Sequence, residues 1–204
     1  MFSDELPLAI EFASLLCGPG VDRGLIGPRE SSRIWDRHLL NCAVASDAAG
    51  DGARVADVGS GAGLPGLVWA IRRPDLNMVL IEPLLRRASF LSEAVAMLGL
   101  DERVEVVRAR AEDVEDAASF DLVTSRAVAP LKRLVPWCSR LCRQGGSVVA
   151  MKGRSVAEEV EASKRIIARV SSQGAVIRTY GGALVDEATT VVEIRVDRRK
   201  GVSR

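Results

Sequence analysis

The stretch 57-DVGSGAGLPG-66 places four glycines in ten residues directly behind the apolar run 53-ARVA-56. Gly61, Gly63 and Gly66 fit G-x-G-x-x-G, and the pattern gains weight from lying after a strand and before a helix. Glycines there let the chain turn tightly and let a ligand approach the backbone at the helix N-terminus. Pro65, with its preset φ and missing N–H, is expected in the first helical turn. Without a ligand the same glycines would make only a tight βα turn.

Outward from this loop the chain alternates strand-like and helical runs. The strands read 54-RVADV-58, 78-MVLIE-82, 103-RVEVVRA-109, 120-FDLVTS-125 and 146-GSVVAMK-152. Helical spacing follows over 84–98, over 128–142, where Pro136 could bend it, and over 155–172. This βαβ order predicts a doubly wound α/β fold with a parallel sheet. At the end, 175-AVIRTYG-181 and 190-TVVEIRV-196 are joined too briefly for a crossover helix and should pair antiparallel at one edge. The first fifty residues show no strand alternation; 4–16 and 30–46 have helical spacing around the Gly/Pro-rich 18-GPGVDRGLIGP-28. The division expected is therefore a helical extension over 1–50 on an α/β domain over 51–204.

Bulk properties narrow the partners. The 204 residues, 48% hydrophobic and 27% charged, suit a globular domain with a sizeable core. Lys and Arg total 28 against 27 Asp and Glu, a net charge of +1, so a polyanion must be met by a local patch and not by the overall field. The acidic start MFSDEL is unlike a signal peptide, and no apolar run is long enough to span a bilayer, so a cytoplasmic protein is expected. The four cysteines, Cys17, Cys42, Cys138 and Cys142, are scattered, and His38 is the single histidine; no metal site is expected. Cys138 and Cys142, one helical turn apart, read as buried structural thiols.

Glu82 closes the second strand about twenty residues beyond the loop, where a carboxylate can accept from both hydroxyls of an adenosine ribose. Asp57, before the first glycine, can hold the loop N–H groups or meet an ammonium, which S-adenosylmethionine has and NAD lacks. A group in 111-AED-113, beyond the third strand, can meet an adenine edge. D-x-G-x-G-x-G with these acids resembles the class I S-adenosylmethionine methyltransferases. Dinucleotide redox is the weaker alternative.

The methyl acceptor leaves its own traces. An exocyclic amine acceptor typically comes with N/D-P-P-Y/F after the fourth strand, and here the residues are 124-TSRAVAPL-131. Carbon methylation of pyrimidines would want a Pro-Cys pair, and metal-assisted O-methylation a carboxylate cluster; neither is found. A ring nitrogen with a free lone pair, such as guanine N7, or a small molecule remains. Arg29, Arg33 and Arg37 recur every fourth residue and would form a basic stripe on one helix face, diluted by Glu30 and Asp36. A solvated helix face is the plainer reading of that stripe. His38 could bond a phosphate or a base edge or serve structurally, and Trp35 reads as core.

R-x-W-x-R-H (Arg33, Trp35, Arg37, His38), 57-DVGSGAGLPG-66, 111-AED-113, 125-SRAVAPL-131 and 151-MKG-153 together resemble the bacterial 16S ribosomal RNA guanine-N7 methyltransferases, the glucose-inhibited division protein B family. The resemblance implies a class I methyltransferase sheet of seven strands with an antiparallel edge strand and a helical N-terminal extension. It implies S-adenosylmethionine as cofactor, a guanosine in the helix 18 loop near the decoding site as acceptor, and low-level streptomycin resistance on loss of activity. The partner expected is 16S rRNA within the 30S subunit or its assembly intermediate, met by a monomer.

Carried over to this chain, the cofactor contacts implied are Gly59 and Leu64 in the loop, Glu82, Ala111 and Glu112 at the adenine, and Arg126. These join Asp57, Gly61 and Gly63 from the loop reading. The Arg126 guanidinium could hold the methionine carboxylate, an RNA phosphate or guanine O6, and it is the residue expected to act catalytically. Lys152 and Arg154 are candidates for RNA phosphates, as is the basic end 198-RRKGVSR-204. Asn41 and Cys42 depart from the family pattern, which has an acid and a serine there. A small-molecule methyltransferase and a non-catalytic adenosine-binding ribosome-assembly module are the competing readings.

Overall fold

The computed structural model describes residues 1–115 and 117–197. Its strands are β1 (Arg54–Val58), β2 (Asn77–Ile81), β3 (Val104–Val107), β4 (Phe120–Arg126), β5 (Cys142–Lys152), β6 (Val176–Tyr180) and β7 (Thr189–Arg195). They form one seven-stranded sheet in the order β3-β2-β1-β4-β5-β7-β6. β1 to β5 pair in parallel. β7 runs antiparallel to both β5 and β6, so the expected antiparallel pair lies at one edge, with β7 as its inner member. The winding reverses between β1 and β4, and the loops leaving these strands diverge to open a crevice above their C-terminal ends.

The strands alternate between two cores, as period-2 side chains buried on both faces must. Val55, Met78, Leu80, Leu122 and Val149 share one cluster, while Ala56, Val58, Val79, Ile81, Val123, Val148 and Ala150 share the other. Helices α1 (Leu6–Leu15), α2 (Leu40–Ala45), α3 (Gly66–Arg72) and α4 (Leu85–Met97) cover the first face, and α5 (Leu131–Leu141) and α6 (Val156–Ile167) the second. The N-terminal segment is continuous with the first core: Phe2, Phe12, Leu16, Leu39 and Cys42 bury themselves with Leu67, Trp69 and Phe90. The Trp69 indole N–H donates to the Cys42 carbonyl at 2.8 Å, and Arg72 Nη1 donates to the Ala43 carbonyl at 2.7 Å, fastening α2 to α3.

Three local expectations are corrected. The helical run over 30–46 changes pitch twice: Pro28–Arg33 is a 3-10 helix, Ile34–Leu39 is π-helical, and only Leu40–Ala45 is α. Pro65 precedes α3 as its N-cap instead of occupying its first turn, with a cis Leu64–Pro65 bond. Cys142 begins β5 and does not end α5, so the two buried thiols Cys138 and Cys142 sit on different elements. The stretch 198-RRKGVSR-204 lies outside the described residues.

Candidate methyl-donor cavity

The loop after β1 is built from the strand upward. Asp57 is fully buried, and its Oδ2 accepts the Gly66 N–H at 2.9 Å, tying the start of α3 to β1. Gly66 must be glycine for this packing, because a Cβ there would lie 2.4 Å from Leu80 Cδ2 and 2.7 Å from Asp57 Oδ2. Above it, Gly59 donates its N–H to the Ile81 carbonyl at 2.8 Å. The Gly59 φ of +72° belongs to the left-handed region, and a Cβ would come within 2.4 Å of Val128 Cγ2 on the loop after β4. Glu82 completes the turn: Oε2 accepts the Gly61 N–H and Oε1 the Leu84 N–H, each at 3.0 Å.

Asp57 therefore acts from beneath the loop. Burial pushes its carboxyl up to about 7, partly opposed by the Gly66 N–H, and Oδ1 has no hydrogen-bond partner among the described residues. It does not line the cavity above, and neither does Gly63, which is buried where a Cβ would meet Leu67 Cδ1 at 2.6 Å. Asp57 thus takes the loop-holding role of the two expected of it, and Gly63 supports the loop by its packing and not from the cavity wall.

The cavity has a volume of about 670 Å³. Gly59, Gly61, Leu64, Glu82, Ala111, Glu112, Arg126 and His38 all line it, brought together from five separate segments. Ala111–Asp113 forms a 3-10 turn after β3, and Arg140 on α5 secures it by donating to the Ala111 and Glu112 carbonyls. Leu25 and Ile26 from the connection after α1 close one side, and Trp137 of α5 and Arg87 of α4 add further walls. None of these four was legible as a site residue. Leu25 and Ile26 stand in a segment marked only by Gly and Pro, and Trp137 and Arg87 follow ordinary helical spacing.

Arg126 ends β4 at the edge of this cavity, and the N-terminal extension holds it. Its Nη1 donates to Cys42 Sγ at 2.9 Å, and Nη2 donates to the Arg37 carbonyl at 3.1 Å and to His38 Nδ1 at 2.9 Å. The next residue, Ala127, takes φ +56°, so the chain turns sharply just beyond the guanidinium-bearing residue. On the far side of the imidazole, His38 Nε2 lies 2.8 Å from Glu30 Oε2. Burial lowers the His38 pKa, with the Glu30 hydrogen bond opposing and the Arg126 charge assisting. Cys42, the departure from the family pattern, is thus an acceptor for Arg126, and burial pushes its thiol up against the pull of that charge.

The remaining candidates lie outside the cavity. Arg29, Arg33 and Arg37 are exposed, but the 3-10 stretch has about three residues per turn, which sets Arg29 and Arg33 roughly 120° apart and breaks the single stripe. Arg37 Nη1 is 3.4 Å from Glu30 Oε1. The Lys152 side chain is 12% exposed, and its ammonium donates to the Ala129 carbonyl and to Glu159 Oε1, both at 2.8 Å. It fastens the loop after β4 to α6, which corrects the expectation that it faces phosphate. Arg154 is 97% exposed, 3.6 Å from an exposed Glu187. Trp35 packs edge-on against Phe2 at 6.3 Å.

The model of the GidB family, described as rRNA small subunit methyltransferase G, matches residues 5–182. The curated ribosomal RNA small subunit methyltransferase G of Salinispora arenicola is 51% identical over 204 aligned residues, covering 97% of this chain and 84% of its own length. The protein of the same name from Thermobifida fusca is 51% identical, covering 96% and 82%, and that of Corynebacterium glutamicum 48%, covering 97% and 90%. Among solved structures, a predicted O-methyltransferase of Agrobacterium tumefaciens superposes with a TM-score of 0.60 at 21% identity, over 79% of this chain and 82% of its own. Pyrococcus horikoshii TYW2 in complex with MeSAdo gives 0.61 at 16% identity, over 78% and 62%. These structural likenesses concern the fold, whereas the curated relatives extend along nearly the whole chain: it belongs to the rRNA small subunit methyltransferase G family.

Proposed function

We propose that this protein transfers the methyl group of S-adenosylmethionine to N7 of a guanosine in the helix 18 loop of 16S rRNA, near the decoding site. The observation that carries this reading is the convergence of Glu82, the Gly59–Gly61 backbone and Ala111–Glu112 on one cavity whose edge is Arg126. The residues fit the cofactor. A carboxylate at the end of β2 faces the cavity where ribose hydroxyls would be held. The loop backbone at Gly59 is bare because a Cβ would strike Val128. The walls around Ala111, Ile26 and Trp137 supply apolar surface for a purine.

When bound, S-adenosylmethionine supplies an electrophilic methyl on a sulfonium, displaced in line to leave S-adenosylhomocysteine. The residues of this chain bind and orient. Glu82 accepts from the ribose hydroxyls while keeping the Gly61 N–H. Of the five N–H donors of Arg126, three are engaged by Cys42, Arg37 and His38. Nε–H and one Nη1–H remain to hold guanine O6 or the methionine carboxylate. Guanine N7 offers a free lone pair, so no side chain is needed as a base, and proximity and orientation carry the rate.

The substrate in this reading is the 30S subunit or its assembly intermediate, met by a monomer in the cytoplasm, and loss of the enzyme gives low-level streptomycin resistance. The test is transfer of tritiated methyl to 30S subunits and to naked 16S rRNA from a strain lacking the gene, with the modified base mapped by mass spectrometry. Label on guanine N7 in the helix 18 loop is expected. Cofactor binding with no label on either substrate would overturn the enzyme reading, and label at another atom the acceptor.

A further inference from the structure

We infer that His38, held by Glu30, is a positioning residue that sets the aim of the Arg126 guanidinium in the methyl-transfer site. The inference rests on the reading of Arg126 given above. Arginine can only donate, so the 2.9 Å contact between Arg126 Nη2 and His38 Nδ1 requires a lone pair on Nδ1. The ring proton must then sit on Nε2, where Glu30 Oε2 accepts it at 2.8 Å. Glu30 thus selects the tautomer, and the tautomer presents the acceptor that fixes Arg126. Arg37 O and Cys42 Sγ hold the guanidinium at two further points. All four groups come from residues 30–42, so this part of the N-terminal extension aims a side chain that β4 supplies.

A free arginine side chain must lose its rotamer freedom when it binds a ligand, and here that freedom is already lost. The charged and titratable groups acting on His38 are Glu30 from the 3-10 helix, Arg37 beside it and Arg126 from β4, with Arg33 acting on Glu30 and Cys42 on α2 sharing Arg126. A proton on Nδ1 would set an N–H against the guanidinium N–H, two cationic donors face to face, and the contact would open. Transfer should therefore show an acid limb that belongs to His38.

The chain contains one histidine, so the imidazole spectrum of the untagged protein, labelled with nitrogen-15, reports on His38 alone and needs no methyl acceptor. The neutral Nε2–H tautomer is expected near pH 7.5, and Arg126→Ala should raise the ring pKa; an Nδ1–H tautomer would overturn the inference. On 30S subunits between pH 5.5 and 8.5, His38→Ala should lower kcat by about 10- to 100-fold, the cost of a misplaced group, with KM for the subunit little changed. His38→Asn, whose Oδ1 can accept from Arg126 in place of Nδ1, should return most of that loss and abolish the acid limb.

A rise in KM alone would make His38 an RNA contact, and unchanged kcat in His38→Ala would remove any role; either overturns the inference. Should His38→Ala not fold, His38→Asn decides through its acid limb: retention of that limb overturns the inference. If the wild-type chain labels no 30S subunits, the acceptor reading falls separately, and the ring spectra still decide the positioning role.

Discussion

The Glu82 carboxylate reaches from the end of β2 to accept the Gly61 N–H of the loop after β1 at 3.0 Å. Its second oxygen takes the Leu84 N–H at the same distance. One buried side chain, 1% exposed, thereby shapes both loops that wall the cavity before any ligand binds.

Glu82→Ala would leave two N–H groups unpaired, roughly 1 to 3 kcal/mol each where they stay buried, and remove the acceptor proposed for the ribose hydroxyls. The expected outcome is S-adenosylmethionine affinity weaker by about 100-fold or more, read by calorimetry, with a lower melting temperature. Glu82→Gln keeps one acceptor oxygen and should fall between the two. Equal cofactor affinity in wild type and Glu82→Ala would exclude the carboxylate from the donor site.

Two glycines of the loop should fail differently when given a methyl group. At Gly66 the added Cβ meets Leu80 and Asp57, both buried, so Gly66→Ala should cost about 1 to 3 kcal/mol of folding stability, the usual penalty of overpacking. At Gly59 the left-handed φ costs roughly 1 to 2 kcal/mol, and the nearby Val128 lies on an exposed loop that can shift. Gly59→Ala should therefore keep more of its stability and lose cofactor affinity. Denaturant melts beside calorimetry separate the two; the reverse ranking would mean that Gly59 is the structural glycine.

Asp57 makes a pH prediction with a definite sign. Burial raises its pKa from 3.8 to about 7, so the folded chain holds this proton more tightly than the unfolded chain does. Its contribution to stability is complete below about pH 4 and is lost as pH rises towards 7, on the order of 4 kcal/mol at most. Asp57→Asn can still accept the Gly66 N–H but cannot ionise. Its stability relative to wild type should rise between pH 4 and 8 and then level off. A difference that stays constant over that range would show that Asp57 is ionised at no cost when folded.

How much of this site the sequence discloses follows from how local each feature is. The glycine loop, Glu82 and Ala111 are legible because each follows a strand, and strands announce themselves by period and composition. Arg126 is legible through Ser-Arg-Ala, but its partners are not: Cys42 lies 84 residues away, and no spacing rule couples them. Cys42 stood out only as a departure, and its role appears once α2 is packed on α3 and the Arg37 carbonyl faces Arg126. The two changes of pitch in 28–45 were equally hidden, because fourfold spacing of arginines reads as α-helix whatever tertiary contacts then impose. Lys152 illustrates the converse, a residue whose charge suggested phosphate and whose burial supplied two protein partners.

Lys152 and Arg154 separate these roles by experiment. Lys152 ties Ala129 and Glu159 together, and Glu159 also takes the Leu131 N–H at 2.5 Å. Lys152→Met should destabilise by about 1 to 3 kcal/mol, since it leaves the half-buried Glu159 without its cation. It should slow transfer through the loop at 127–130 while leaving the salt dependence of 30S binding unchanged. Arg154→Ala should do the opposite: stability within about 0.5 kcal/mol, because its pairing with Glu187 is fully open to solvent, and a shallower slope of log affinity against log salt, by about 0.7 to 0.9 if it neutralises one phosphate. Filter binding of 30S subunits across a salt series checks both. An altered slope in Lys152→Met with stability intact would return that lysine to the RNA-binding surface.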